Sequence, residues 1–310
     1  MAVRQSFIVR VAFFGFIVGA VSLFAAVYYW RFLSAEPTAA LLRRIPTKDS
    51  VVVQVDLRAL RTAGLLSALS SATVVEEEEY RRFVHETAFD YKTDLDSVIL
   101  SYFGDDRLAL ASGRFDLAAL KKYVVVHGGN CRNGLCSLKT ARGDRFVSFV
   151  PLRSNLVAWA SSKDELGAYQ MMGTLKLPVV PAPPDAPFWL IVPRAYWKNP
   201  RELPSGTKLF AKALEDAETS TFSMSVANGS LEAVLEAYCG NDTTANSLQT
   251  QLQGITDVFR KYMERANQTP GAADLGGLLI HGKFEKQASK VTGRWPLDKQ
   301  FLEALIGGRI

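Results

Sequence analysis

Two cysteines flank an Asn-Gly pair in the hexapeptide CRNGLC at residues 131–136, and this stretch constrains the fold more tightly than any other. Asn-Gly is the strongest short hairpin signal, because a type I′ turn needs positive φ at both central positions. With Arg132 facing Leu135 as the closing pair, the next pair outward is Cys131 facing Cys136. Their Cα atoms would lie about 4.5 Å apart, which suits a disulfide bond. The sequence therefore predicts a disulfide-linked hairpin, preceded by a strand through KKYVVVHGGNC.

The predicted bond also indicates a compartment. Disulfides across such short loops persist in oxidising surroundings, so the hairpin predicts that this part of the chain lies outside the cytoplasm. Two alternatives are open: a pair of reduced thiols that face one another, and a metal site, for which a second cysteine–histidine pair is missing. The third cysteine, Cys239, is predicted to be a buried side chain.

An apolar segment between Phe7 and Trp30 predicts a membrane anchor. After Arg10 the sequence carries no charged side chain until Arg31. About 20 apolar residues in a helix span the hydrocarbon core of a bilayer, which is roughly 30 Å thick. A cleaved signal peptide and a buried core helix are the alternatives, but the small-residue sites that follow are poor versions of the A-x-A cleavage pattern. We expect an uncleaved, single-pass signal-anchor.

Two groups of side chains in this segment have predicted roles. Tyr28, Tyr29 and Trp30 stand at one end, where amphipathic rings favour the membrane interface. Gly15 and Gly19 form a G-x-x-x-G motif, which allows close helix packing. Basic residues lie on both sides of the segment, so the positive-inside rule does not orient it. The predicted disulfide does: the amino terminus is expected in the cytoplasm and the bulk of the chain outside it, in the periplasm if the host is a bacterium.

The remainder of the chain has the pattern of an α+β protein. Short β-branched and alternating runs, several joined by turn residues, predict a mixed and largely antiparallel sheet with packed helices. Residues 178–187, PVVPAPPDAP, contain five prolines and predict a spacer between two substructures. The predicted units are an amino-terminal stub with the anchor (1–34), a first α+β half with the cysteine hairpin (35–177), the spacer (178–187) and a second α+β half (188–310).

The two halves share one phrase, which raises the possibility of an internal duplication. ALASGRFDLAAL (109–120) and LLIHGKFEKQAS (278–289) both have the pattern of a strand, a glycine, a basic residue, phenylalanine, an acidic residue and a helix. In the first phrase Asp116 is the expected N-cap of the helix. We therefore predict two related halves of similar construction.

Neither the composition nor the motifs of the chain indicate a catalytic, metal-binding or nucleic-acid-binding site. The net charge is +5, with Lys and Arg scattered among acidic residues, which argues against a nucleic-acid partner. GLLIHGK (277–283) has the spacing of a phosphate-binding loop, but Phe284 replaces the hydroxyl residue that holds magnesium, and the run is predicted to be a strand. The three histidines lack zinc-site spacing, and no nucleophile elbow is present. We predict no catalytic, metal-binding or cofactor-binding residue.

These features predict a membrane-anchored extracytoplasmic protein that acts as a non-catalytic binding or scaffold module, or as an accessory subunit of a membrane complex. Its expected partners are the lipid bilayer and proteins of the membrane or envelope. One alternative is an anchored hydrolase whose site is assembled from sequence-distant residues. The other is the same body facing the cytoplasm, in which Cys131 and Cys136 would be free thiols.

Overall fold

The computed structural model describes residues 38–64, 78–173, 181–198, 208–227, 230–265 and 278–297. The predicted anchor lies outside these residues, and with it Gly15, Gly19, Tyr28, Tyr29 and Trp30. Among the helices that are described, none is both long enough and apolar enough to cross a membrane.

The described strands form one antiparallel sheet of twelve, in the order β11-β12-β10-β9-β8-β1-β2-β3-β7-β6-β5-β4. The predicted α+β class with a large antiparallel sheet is therefore confirmed. The strands are β1 (Val51–Asp56), β2 (Leu95–Phe103), β3 (Asp106–Gly113), β4 (Asn130–Arg132), β5 (Leu135–Lys139), β6 (Phe146–Arg153), β7 (Leu156–Ser162), β8 (Phe188–Pro193), β9 (Thr219–Ala227), β10 (Ser230–Tyr238), β11 (Lys283–Gln287) and β12 (Lys290–Leu297).

Helices connect the strands, and most are short. The helices in the described part of the chain are α1 (Thr38–Leu42), α2 (Leu57–Thr62), α3 (Glu78–Thr87), α4 (Tyr91–Asp94), α5 (Leu117–Val126), α6 (Gly167–Gly173), α7 (Arg194–Lys198), α8 (Lys208–Leu214) and α9 (Asp242–Arg265).

The strand order is mirrored about the β1–β8 pair, where the first strand of each half meets the other antiparallel over four residue pairs. From this seam the first half runs β1-β2-β3-β7-β6 and the second runs β8-β9-β10-β12-β11. The end of the predicted spacer belongs to the seam, because the carbonyl of Pro187 accepts a hydrogen bond from the backbone N–H of Asp56 at 2.7 Å. A single sheet thus joins the two predicted halves.

Side chains alternate across the sheet, and its two faces are named here after adjacent residues of β1. The Val52 face of the first half carries Ile99 and Leu110 and is covered by the segment around α1, whose Leu41, Leu42 and Ile45 are buried against it. The start of the first half is therefore part of the core from Leu41 onward.

The Val51 face is covered in both halves. In the first half α5 buries Leu120 and Val124 against Phe149 and Val157. In the second half α7, α8 and α9 cover the sheet, and their buried residues pack with those of β8, β10 and β12. This core contains Val192, Trp197, Phe210, Leu235, Leu248, Leu252, Val291 and Trp295.

The cysteine hairpin has the predicted register. Cys131 pairs with Cys136 and Arg132 with Leu135, while Asn133 and Gly134 have φ of 50° and 82°, as a type I′ turn requires. The two sulfur atoms are bonded.

The predicted strand before the hairpin is wrong, because residues 117–126 form α5. Asp116 caps this helix by accepting hydrogen bonds from the N–H groups of Ala118 and Ala119, as the sequence indicated. The β-branched run that favoured a strand continues the helix instead, since Val124 stands one turn after Leu120 and both are buried. Gly128, at φ 83°, ends the helix and turns the chain into β4.

The second predicted phrase also differs from the structure. Residues 278–281 form a helical turn rather than a strand, and Lys283–Gln287 form β11 rather than a helix. Gly282 is needed for packing, because a Cβ there would lie 2.7 Å from the indole nitrogen of Trp295. Strand β12 was not predicted. The shared phrase therefore occupies different elements in the two halves. Residues 297–306, LDKQFLEALI, have the pattern of a helix, but beyond Leu297 they lie outside the described residues.

Candidate binding groove

A groove of about 930 Å³ opens at the end of the sheet where β1 begins, on the Val51 face. Its floor follows the strand register: Val51 pairs with Tyr102, Tyr102 with Arg107, and Arg107 with Ser161. Its walls are the residues before β1, the β2–β3 turn, the β5–β6 loop and the start of α7. Five separate parts of the chain therefore converge on one opening.

Arg145 holds the first-half side of the groove together. Its Nη2 donates to the carbonyl oxygens of Asp105 and Ser161, both at 2.7 Å, and to Oδ1 of Asp106 at 2.8 Å. The β2–β3 turn, β7 and the start of β6 are thereby tied to one guanidinium group. Because so many of its donors are used within the protein, we assign Arg145 a structural role.

The local turns explain how the rim is presented. Gly104, at φ 59°, closes the β2–β3 hairpin and leaves Tyr102 and Phe103 40% and 48% exposed. The β5–β6 loop is closed by a hydrogen bond from Thr140 N–H to the Arg145 carbonyl at 2.9 Å, and Gly143 at φ 74° completes its turn. These tight turns hold the rim in a defined shape.

Aromatic and charged side chains of both signs line the groove. The guanidinium carbon of Arg107 lies 5.8 Å from the centroid of the Tyr102 ring, and Tyr196 contributes a second tyrosine from α7. Arg142, which is exposed, stands beside Asp144 on the β5–β6 loop. Tyrosine and arginine are the residue types that protein-binding surfaces favour. The described residues contain no group of three or more His, Cys, Asp or Glu side chains placed to hold a metal ion.

The groups with the best-defined electrostatic surroundings lie away from the groove. On β10, burial raises the pKa of Glu236, but hydrogen bonds from Lys290 at 2.6 Å and Tyr238 at 2.9 Å outweigh it, so this pKa lies below its ordinary value. Burial and the bond to Glu236 raise the pKa of Tyr238 to about 12. These interactions bind β10 to β12.

A similar cluster lies in the first half. Burial raises the pKa of Asp94, but the backbone N–H of Asp90 and the guanidinium of Arg114, at 2.9 Å, hold it below its ordinary value. Tyr80 donates to Asp90 at 2.9 Å, and burial and this bond raise the pKa of Tyr80. The cluster connects α3, α4 and the segment after β3, which is again a structural task.

The sequence indicated none of the groove residues as a site. Cys131 and Cys136, the predicted site residues that are described, lie in the β4–β5 hairpin and do not line the groove. The available signals were two turns, GDD at residues 104–106 and ARGD at residues 141–144. Both contain residues that turns favour, but only the strand order brings them to the same end of the sheet.

Comparison with known proteins gives little. No protein-family model matches the chain, and no curated protein sequence matches it. Among solved structures, crystal form I of TP0453 is similar with a TM-score of 0.48 at 10% identity, covering 84% of this chain and 93% of that one. Crystal form III of TP0453 has a TM-score of 0.47 at 10% identity and covers 89% and 99%.

Proposed function

We propose that this chain is a membrane-anchored protein whose body lies outside the cytoplasm and acts as a non-catalytic binding module, as an accessory subunit of a membrane complex. The groove lined by Tyr102, Tyr196, Arg107 and Arg142 is the observation that carries the proposal. Its partner is a protein of the same membrane or envelope, and the groove takes a polar segment that carries both signs of charge.

The location is supported by sequence and by the hairpin together. The apolar segment from Phe7 to Trp30 supplies the single-pass helix, with Tyr28 to Trp30 at the interface and Gly15 and Gly19 available for helix packing. The bond between Cys131 and Cys136 is of a kind that persists in oxidising compartments. The amino terminus is then cytoplasmic, and the host decides whether the body is periplasmic.

The location is tested by thiol titration of protein extracted without reductant. Cys239 is 6% exposed, and burial raises the pKa of its thiol, so it reacts only after unfolding. We expect one free thiol per chain in denaturant. Three free thiols would indicate a reducing compartment and a cytoplasmic body.

The binding role is tested by affinity purification of the full chain from its native membrane. We expect a stoichiometric partner that is lost from Arg142→Ala and Tyr196→Ala. Arg294→Ala is the matched control, because Arg294 is an exposed arginine of β12 that lies outside the groove. A partner that both groove variants retain would show that the binding site lies outside the groove. Turnover of a substrate by the purified body would support the alternative, an enzymatic function.

We also infer that the halves, with the unit boundaries 1–34, 35–177, 178–187 and 188–310, are related by internal duplication. The mirrored strand order supports this relation. The sequence phrase shared by residues 109–120 and 278–289 does not, because it occupies different elements in the two halves. A profile built from homologues of one half should match the other half along β1-β2-β3-β7 and β8-β9-β10-β12.

A further inference from the structure

The tip of the β2–β3 hairpin presents an exposed phenylalanine next to an exposed tyrosine. Phe103 points to the Val52 face and Tyr102 to the Val51 face, and they are 48% and 40% exposed. Gly104 turns the chain directly after them, so both rings lie at the end of β2 and not along the middle of the sheet. Leaving two adjacent aromatic side chains exposed to water is unfavourable, because their apolar surface is not buried.

The chain that comes from the amino-terminal segment reaches the sheet beside this tip. The hydroxyl of Ser101 donates a hydrogen bond to the carbonyl of Pro46. Phe103 lies two residues further along β2 on the same face, which is about 7 Å along the strand. The incoming chain thus crosses the sheet next to Phe103 and then enters β1 at the same end.

Little chain is available to separate the body from the proposed anchor. The core includes Leu41, Leu42 and Ile45, so the body begins at α1. From Trp30, which the proposed anchor places at the membrane interface, to Thr38 the backbone spans about 28 Å at most. A bilayer that holds the anchor therefore lies within about 28 Å of α1, from which the chain continues to Pro46 beside the hairpin tip.

We propose that the β2–β3 tip docks on the bilayer that holds the anchor, with Phe103 at the boundary between headgroups and acyl chains. Aromatic rings favour that depth, and Tyr102 and Arg107, which lie on the opposite face, remain in the groove. The mouth of the groove then opens close to the membrane surface, where juxtamembrane segments of other membrane proteins are found. This inference rests on the proposed function, because it requires the anchor.

The test uses the full chain in nanodiscs made of equal parts of phosphatidylcholine and phosphatidylglycerol. A polarity-sensitive fluorophore is attached at Phe103→Cys and, as the matched control, at Ser154→Cys. Ser154 is an exposed residue of the β6–β7 turn at the opposite end of the sheet. Buried Cys239 and the disulfide leave the introduced thiol as the reactive one.

We expect the fluorophore at position 103 to be quenched several-fold more by a shallow spin-labelled lipid than the fluorophore at position 154. Aqueous iodide should show the reverse order. Equal quenching at both positions would overturn the inference. Protection of position 103 from both quenchers would overturn it as well, because a second copy of the chain or a partner protein would then cover the tip.

Co-elution of the chain with the nanodiscs separates this inference from the proposed function. A chain that does not remain with the discs lacks the anchor, and the proposed function fails. A chain that remains with the discs, but whose tip is open to iodide, retains the anchor and loses only the docked tip.

Discussion

The two halves of the sheet have the same strand order but different surroundings. The first half is covered on both faces, by the α1 segment and α6 on the Val52 face and by α5 on the other. In the second half, Trp189 and Ile191 of β8 still belong to the core on the Val52 face. Beyond β8 the described helices cover the Val51 face alone, and the opposite face carries Glu232, Glu236, Thr292 and Arg294. The two halves therefore share one strand order, but the first is covered on both faces, whereas the second has one face that the described helices leave open; we call this the half-open face.

The difference originates in the alternation of side chains along the strands. In β7 the run LVAWA is apolar at every position and predicts burial on both faces. In β9 the run TSTFSMS alternates from Thr221 onward, and Thr221, Ser223 and Ser225 share the face of Glu236. The side-chain pattern, and not the strand order, decides how many layers each half builds.

The largest expected effect is the cost of removing a side chain from the doubly covered half. Leu110 is 1% exposed beneath the α1 segment, so Leu110→Ala should lower the free energy of unfolding by about 2–5 kcal/mol. Val234→Ala, on the half-open face of β10, should cost less than about 1 kcal/mol. Chemical denaturation monitored by fluorescence measures both values. Equal losses of unfolding free energy in the two variants would contradict the difference in cover between the two halves.

The disulfide should stabilise the first half by a smaller amount. On the chain-entropy estimate a bond across so short a loop contributes about 2 kcal/mol. Cys131→Ser combined with Cys136→Ser should therefore lower stability by that amount, and hydrogen exchange should increase around β4 and α5. Cys239→Ala should respond to reductant as the wild type does; a different response would place the redox-sensitive thiol in the second half.

Among the described residues, a carboxylate in each half has a lowered pKa, which makes stability depend on acid. Asp94 and Glu236 have folded pKa values below those of the unfolded chain, so their contributions are complete above about pH 5. They are lost as the pH falls through the folded values. Asp94→Asn and Glu236→Gln should each flatten the acid limb of the stability curve by about 1 kcal/mol or less. A flattened alkaline limb would contradict the assignment.

The smallest expected effect is that of an ion pair on the half-open face. Arg294 Nη1 lies 2.8 Å from a Glu232 carboxylate oxygen, and both side chains retain contact with solvent. A double-mutant cycle with Glu232→Gln and Arg294→Gln should give a coupling energy of about 0.5 kcal/mol that decreases with salt. A coupling energy that is independent of salt would indicate that this face is covered.

Local signals predicted much of this fold and little of the groove. The type I′ hairpin, the cap at Asp116 and the largely antiparallel α+β class all follow from turn chemistry and side-chain alternation. The strand propensity of Val124 was overridden by burial one turn after Leu120. The groove depends on β1, β2, β3 and β7 lying side by side in the sheet. Its residues extend from Asp49 to Tyr196, and nothing local in the sequence indicates that they meet.

The position of β1 at the seam has a mechanical consequence. This strand is paired on both sides, with β2 over six residue pairs and with β8 over four. Tension transmitted from residues 1–37 would first have to detach Leu41, Leu42 and Ile45, and would then act along a central strand. Its hydrogen bonds would be loaded together in shear instead of being unzipped one by one from an edge, so pulling by the amino terminus should meet the most resistant part of the sheet.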